Sequence, residues 1–158
     1  KDWLMEIMKK EPLLQFIKSN KVYSVHLRGT DREKYNKDNR PDLCNYSYNK
    51  EEYVDNIIKK IPNDTKNILL LSDSIPLVNI FLEKIDNSIN IIQTNNKKQE
   101  GLVGLHLDRD ASKEVKNIEL LKDFYLMTQT EDVICDGISR FSLMAKRVCS
   151  LIKSSSKN

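Results

Sequence analysis

The chain has 158 residues, 39% of them hydrophobic and 31% charged, with a net charge of +3. A chain of that length fits one domain that buries roughly 70% of its unfolded surface, so folding requires no disulfide or metal staple. Both signs of charge are interspersed, which argues against a dedicated nucleic-acid binder with its basic stripe, and no apolar run approaches the ~18 residues of a membrane-spanning helix.

Cysteine usage narrows the class further. Cys44, Cys135 and Cys149 form an odd set without C-x-x-C spacing, which speaks against a disulfide framework and against a zinc site. Cys135 falls in an apolar strand pattern and Cys149 on the apolar side of a helix, so both read as buried free thiols. The richness in Lys, Asn and Ile is a compositional bias without chemistry of its own. The sequence opens at Lys1, inside a helical pattern and without a visible signal peptide. It reads as a piece excised from a larger protein, which leaves cytoplasm and secretory-pathway lumen equally open.

In chain order, residues 2–19 pattern as helix, with Trp3, Leu4, Ile7 and Met8 on one face. Pro12 interrupts and opens a second short helix carrying Leu14, Phe16 and Ile17. Lys21–Leu27 reads as a first strand, broken by Gly29 just after His26 and Arg28. Residues 28–49 are polar and irregular, a length that in a compact domain marks a functional or mobile loop. Tyr53, Val54, Ile57, Ile58 and Ile61 recur at helical spacing over 49–61, and Pro62 ends that helix.

Asn67–Leu71 is a continuous apolar run of the kind buried on both faces of a parallel sheet. It ends in Ser72-Asp73-Ser74, where Asp73 or Ser74 caps a helix that has Pro76 in its first turn and runs to about Lys84. Asn90–Gln93 is a short strand. Residues 94–111 are polar and contain Gly101, Gly104, His106 and Arg109. Ser112 caps a helix to Met127, Asp132–Cys135 is a strand ending at Asp136-Gly137, and a last helix covers Ser139–Ile152. The domain therefore spans residues 1–153, and 154–158 read as a disordered tail.

Strands alternating with helices, each connection long enough for a crossover, predict an α/β fold: a Rossmann-like parallel sheet with helices on both faces. Right-handed crossovers put all strand ends on one edge. That edge gathers His26 and Arg28, Asp73 and Ser74, and the stretch from Asp136 to Ser142. Ligands of open α/β sheets bind outside the carboxyl ends of the strands. A planar, permanently charged guanidinium such as that of Arg28 suits phosphate there.

Three regions, in order, resemble the nucleotide-sugar half of fucosyltransferases with a GT-B fold. The likeness is to the α1,6-fucosyltransferase and nodulation fucosyltransferase group, with protein O-fucosyltransferases and α1,2-fucosyltransferases as more distant relatives. Val25-His26-Leu27-Arg28-Gly29-Thr30-Asp31 is similar to that family's His-x-Arg-x-x-Asp motif. Leu69-Leu70-Leu71-Ser72-Asp73-Ser74 is similar to its second motif, a strand ending in Thr/Ser-Asp-Asp/Ser. Leu120 to Ala145 resembles the third, in which Asp123 opens a helix, Asp132-Val133-Ile134 form a strand, and Ser139 and Ser142 start the last helix. Gly104-Leu105-His106 falls where the group has a similar segment.

The resemblance implies half of a GT-B glycosyltransferase that binds GDP-fucose for inverting, metal-independent transfer to a glycan or protein acceptor. An N-terminal acceptor domain would belong to the parent chain. It implies no cofactor, since the GDP-sugar is the donor substrate. Arg28 would hold the diphosphate and stabilise the leaving group, and His26 would shape the pocket beneath it. Asp73 would lie near the ribose or bridge to Arg28, with Ser74 beside it.

Asp123 would bond guanine or ribose, and Ser139 and Ser142 would stand where the last helix meets phosphate. His106 would be a donor near the sugar. The candidate acid or base lies among Asp31, Glu33 and Asp38. The α1,6 group carries a second arginine where this chain has Gly29, leaving either one phosphate contact fewer or Arg32 or Arg109 in its place. An isolated donor half would bind weakly and transfer little. The alternative is a non-catalytic α/β nucleotide-binding or receiver-like signalling module, in which Asp73 at a strand end would be the phospho-acceptor.

Overall fold

The computed structural model describes residues 2–29, 49–94 and 112–155. Asp31, Glu33 and His106 lie outside the described residues, as do Arg32, Asp38, Arg109 and Cys44. In order the elements are α1 (Asp2–Lys9), α2 (Pro12–Ser19), β1 (Tyr23–Leu27), α3 (Lys50–Ile58), β2 (Asn67–Ser72), α4 (Ile75–Lys84), β3 (Asn90–Gln93), α5 (Lys113–Thr128), β4 (Val133–Ile134) and α6 (Arg140–Ser155). The four strands form one Rossmann-like parallel sheet in the order β3-β2-β1-β4.

The alternation of the strands explains the layers. In β2, Leu69 and Leu71 face one way and join Met8, Leu14, Ile17, Leu126, Met127, Ala145 and Cys149, so α1, α2, α5 and α6 cover that side. Ile68 and Leu70 face the other way with Val25, Leu27, Val54, Ile57, Leu77, Val78 and Phe81, so α3 and α4 cover the second side. A strand buried on both faces must be apolar throughout, which is why Ile68-Leu69-Leu70-Leu71 carries no polar residue.

The connection through α3 steps from β1 to β2, and that through α4 from β2 to β3. The connection through α5 returns across β1 to β4. Right-handed crossovers then place α3 and α4 on one face and α5 on the other, as observed.

Element ends differ from the pattern where local bonding takes over. The α3 helix stops at Ile58 because the next turn tightens: Lys60 N donates to Ile57 O and Ile61 N to Ile58 O, both at 3.0 Å. At its other end the Asn49 side chain accepts from the backbone N–H groups of Glu51 and Glu52, at 3.0 and 3.2 Å. Ser112 caps α5 by accepting from Val115 N at 3.3 Å.

The last helix continues through Ser154 and Ser155, which the sequence pattern assigns to a tail. Both hydroxyls donate to the Leu151 carbonyl, at 2.9 and 3.0 Å, so these serines satisfy a carbonyl at the helix end.

Two outcomes follow from the packing. Leu70 is fully buried under α3 and α4. Leu70→Ala should lower unfolding free energy by about 3 kcal/mol, read from the urea midpoint at unchanged slope. Cys149 is buried and its Sγ donates to the Thr130 carbonyl at 3.1 Å, and burial pushes its thiol pKa up. Iodoacetamide at about pH 8 should leave Cys149 unmodified in the native protein and modify it once the chain is denatured, as peptide mass mapping will show.

Candidate functional site

The strand order reverses at β1: its neighbours are β2 on one side and β4 on the other, reached by connections that run in opposite directions. The carboxyl ends of β1 and β4 therefore flank the crevice that such a reversal opens. The residues that β1 delivers there follow from its pleat. Val25 and Leu27 go to the α3/α4 core. Ser24 and His26 point to the α5/α6 side, where an apolar pattern would have put aliphatic residues.

Both polar side chains are partnered. Ser24 Oγ lies 3.0 Å from Thr130 Oγ1, a buried pair. His26 Nδ1 lies 2.5 Å from Ser142 Oγ on α6, and His26 is 7% exposed while Ser142 is fully buried. The Phe141 ring stands 5.5 Å from the imidazole, and Phe124 stands 5.6 Å from Phe141 in an edge-on contact. The imidazole is thus held by a hydroxyl and fenced by aromatic carbon. A buried His or Ser without such a partner would cost the desolvation of its polar atoms.

Beyond the strand end, Arg28 and Gly29 are pinned from two sides, by Tyr53 of α3 and by Asp73 in the turn between β2 and α4. Arg28 N donates to the Tyr53 hydroxyl of α3 at 3.1 Å. The Arg28 guanidinium approaches Asp73 Oδ2 at 2.9 Å, while Asp73 Oδ1 accepts from Gly29 N at 2.8 Å. One carboxylate, only 10% exposed, therefore fixes both the backbone turn after β1 and the direction of the charged side chain. Ser72 Oγ donates to the Leu27 carbonyl at 2.9 Å and accepts from Ser74 N at 3.0 Å, tying the ends of β1 and β2 together.

Gly29 is needed for proximity. A Cβ there would meet Ser74 Cβ at 2.6 Å and Leu77 Cδ1 at 2.8 Å. The start of α4 leaves no space for any side chain at position 29, so a second arginine directly after Arg28 is incompatible with this packing. At the end of β4, Gly137 adopts φ +85°, and Asp136 Oδ1 accepts from Ile138 N at 2.9 Å and Ser139 N at 3.3 Å. Asp136 thereby holds the turn before α6, whose first carbonyl bond runs from Leu143 N to Ser139 O at 3.0 Å.

The sheet edge brings together His26, Arg28, Asp73 and Ser142, with Ser139 at the entrance of α6. The expected bridge from Asp73 to Arg28 is the contact observed. Ser74 stands at the cap position of α4 but makes no side-chain cap bond, and Asp73 accepts from Gly29 N. The Ser142 hydroxyl is taken up by the imidazole. Asp123 does not open a helix: it lies well inside α5, whose start is fixed by the Ser112 cap. Tyr53 escaped sequence reasoning, which counted it among the apolar positions of its helix. A tyrosine in that stripe brings a hydroxyl that must find a partner when buried, and this was the available signal.

Among the described residues no three His, Cys, Asp or Glu side chains are grouped to hold a metal ion, and no described helix is long and apolar enough to cross a membrane. No protein-family model matches the chain, and no curated protein matches it.

Gly29→Ala forces the start of α4 away from β1, so it should lower unfolding free energy by ~1–3 kcal/mol, measured by thermal or urea unfolding. Unchanged stability would mean that α4 yields without cost.

Proposed function

We propose that the chain is the donor-binding half of a GT-B glycosyltransferase. It would take GDP-fucose for inverting, metal-independent transfer to a glycan or protein acceptor held by an N-terminal acceptor domain of the parent protein. The observation that carries this reading is the Arg28 guanidinium, which is oriented by Asp73 and stands at the strand-order reversal beside the His26–Ser142 pair. The resemblance of the three ordered motifs supplies the donor and the reaction.

In that reading Arg28 pairs with the diphosphate. As the bond from the sugar carbon to the phosphate oxygen breaks, the departing diphosphate gains negative charge, and a fixed guanidinium stabilises it without reorganising. Asp73 and Tyr53 hold the arginine in place beforehand, one through the side chain and one through the backbone. His26 presents its imbedded ring beneath the site, and Ser139 stands where the start of α6 favours an anion. Asp123 and His106 remain the proposed base-edge and sugar contacts, and Asp31 or Glu33 the base that takes the acceptor proton as the new glycosidic bond forms. The separated half is expected to bind donor and to transfer little.

The receiver-like alternative is disfavoured by the same geometry. The Asp73 carboxylate is engaged by Arg28 and Gly29, and β1 ends in His26 and Arg28 where a receiver needs acidic residues for magnesium.

Calorimetric titration of GDP, GDP-fucose and UDP into the wild-type chain and Arg28→Ala tests the proposal. Guanine-selective binding should weaken by about 10- to 100-fold in the variant, the worth of a charge-assisted contact of ~1.5–3 kcal/mol. Binding without preference for guanine, or binding indifferent to Arg28, would overturn it.

A further inference from the structure

The α6 helix turns Ser142, Ala145 and Cys149 into the core. Its opposite side carries Arg140, Leu143, Met144, Arg147 and Leu151 into solvent, with the three apolar side chains 41%, 55% and 61% exposed. Residues seven apart lie nearly in line along a helix and ~10 Å apart. Met144 with Leu151, and Arg140 with Arg147, are therefore two interleaved pairs on one line, the cations preceding the apolar residues by one turn.

The charges on this helix are one-sided. No acidic residue occurs in α6. Lys146 and Lys153 are bonded to Asp132 and Glu131, at 2.9 and 2.5 Å. Among the described residues Arg140 and Arg147 have no ion pair. Exposed methionine, leucine and arginine on a rigid element are the residue types that protein interfaces use, with arginine available for bidentate contact to carboxylates.

We propose that this outer face of α6 is a docking surface for an acidic amphipathic helix of a partner protein. An apolar stripe on that helix would cover Leu143, Met144 and Leu151, and glutamates or aspartates one turn away would meet Arg140 and Arg147. Charge complementarity selects this occupant. A two-fold contact between the α6 helices of two copies would set arginine against arginine with no carboxylate on either helix to answer them. An anionic lipid surface calls for a cluster of about 4–8 cations; this face offers Arg140 and Arg147 alone, since the lysines of the helix are taken up by Asp132 and Glu131.

The test uses the whole chain and two synthetic helical peptides with the same Leu stripe, one flanked by glutamates and the other by lysines. Fluorescence anisotropy should show that the Glu peptide binds and that the Lys peptide binds at least tenfold more weakly. The double variant Arg140→Glu with Arg147→Glu should invert that order, and Met144→Ser with Leu151→Ser should abolish binding of both. All four positions are exposed, so unfolding curves should coincide with wild type. Equal binding of the two peptides, no binding of either, or variants without effect would overturn the proposal. Concentration-dependent dimerisation in sedimentation that Met144→Ser with Leu151→Ser removes, or phosphatidylserine-vesicle binding without peptide binding, would overturn it too.

Discussion

The central position of β1 is the constraint from which the rest follows. It pairs on both sides, with β2 over five residues and with β4 over two, and helices cover both its faces. After Tyr23, which is half-buried, all four side chains of the strand are buried. Every residue must fit an apolar core or bring its own partner. Val25 and Leu27 take the first course. Ser24 and His26 take the second, and each recruits a hydroxyl from the far side of the chain, Thr130 and Ser142. Two hydrogen-bonded pairs thus fix how β1 sits against the loop after α5 and against α6, with a specificity that interchangeable aliphatic contacts lack.

At the end of the strand the constraint changes from burial to close approach. The α4 helix begins so near β1 that only a glycine fits at position 29, and the helix start brings Asp73 within reach of the Gly29 N–H. The same carboxylate meets Arg28. Packing and electrostatics are coupled at one residue: moving α4 outward to admit a side chain would also carry away the group that orients the guanidinium.

The layer order and nearly every element were readable because they rest on periodicity. The unbroken apolar run of β2 required two covered faces, and the 3.6-residue spacing of Tyr53, Val54, Ile57 and Ile58 required a helix. What escaped depended on distances between segments remote in sequence. That Ser142 belongs to His26, with more than a hundred residues between them, has no local signature. Helix starts came out within a residue, at Ile75 and Arg140, but the side-chain bonds made there did not. Asp73, Ser74, Asp136 and Ser139 all have capping chemistry, yet Ser74 makes no cap bond, Asp73 accepts from Gly29 N, and Asp136 accepts from Ile138 N and Ser139 N in the turn before the helix. The extra turn at the end of α6 was missed because serines read as a tail, although a hydroxyl can return its bond to a helix carbonyl.

Stability alone is a poor account of the Arg28–Asp73 pair. The carboxylate is 10% exposed and the guanidinium 28%, so both lose hydration when they meet. A partly buried ion pair recovers that loss by attraction and often contributes no more than apolar residues of the same volume would. The position offers that alternative, since Leu27 and Leu77 already line the neighbouring core. What the pair provides and a leucine pair would not is direction: a permanent positive charge, held from its backbone by Tyr53 and from its side chain by Asp73, at the edge where the strand order reverses. In the proposed reading, an anion arriving there would meet a guanidinium already oriented, so less ordering would remain to be done on binding.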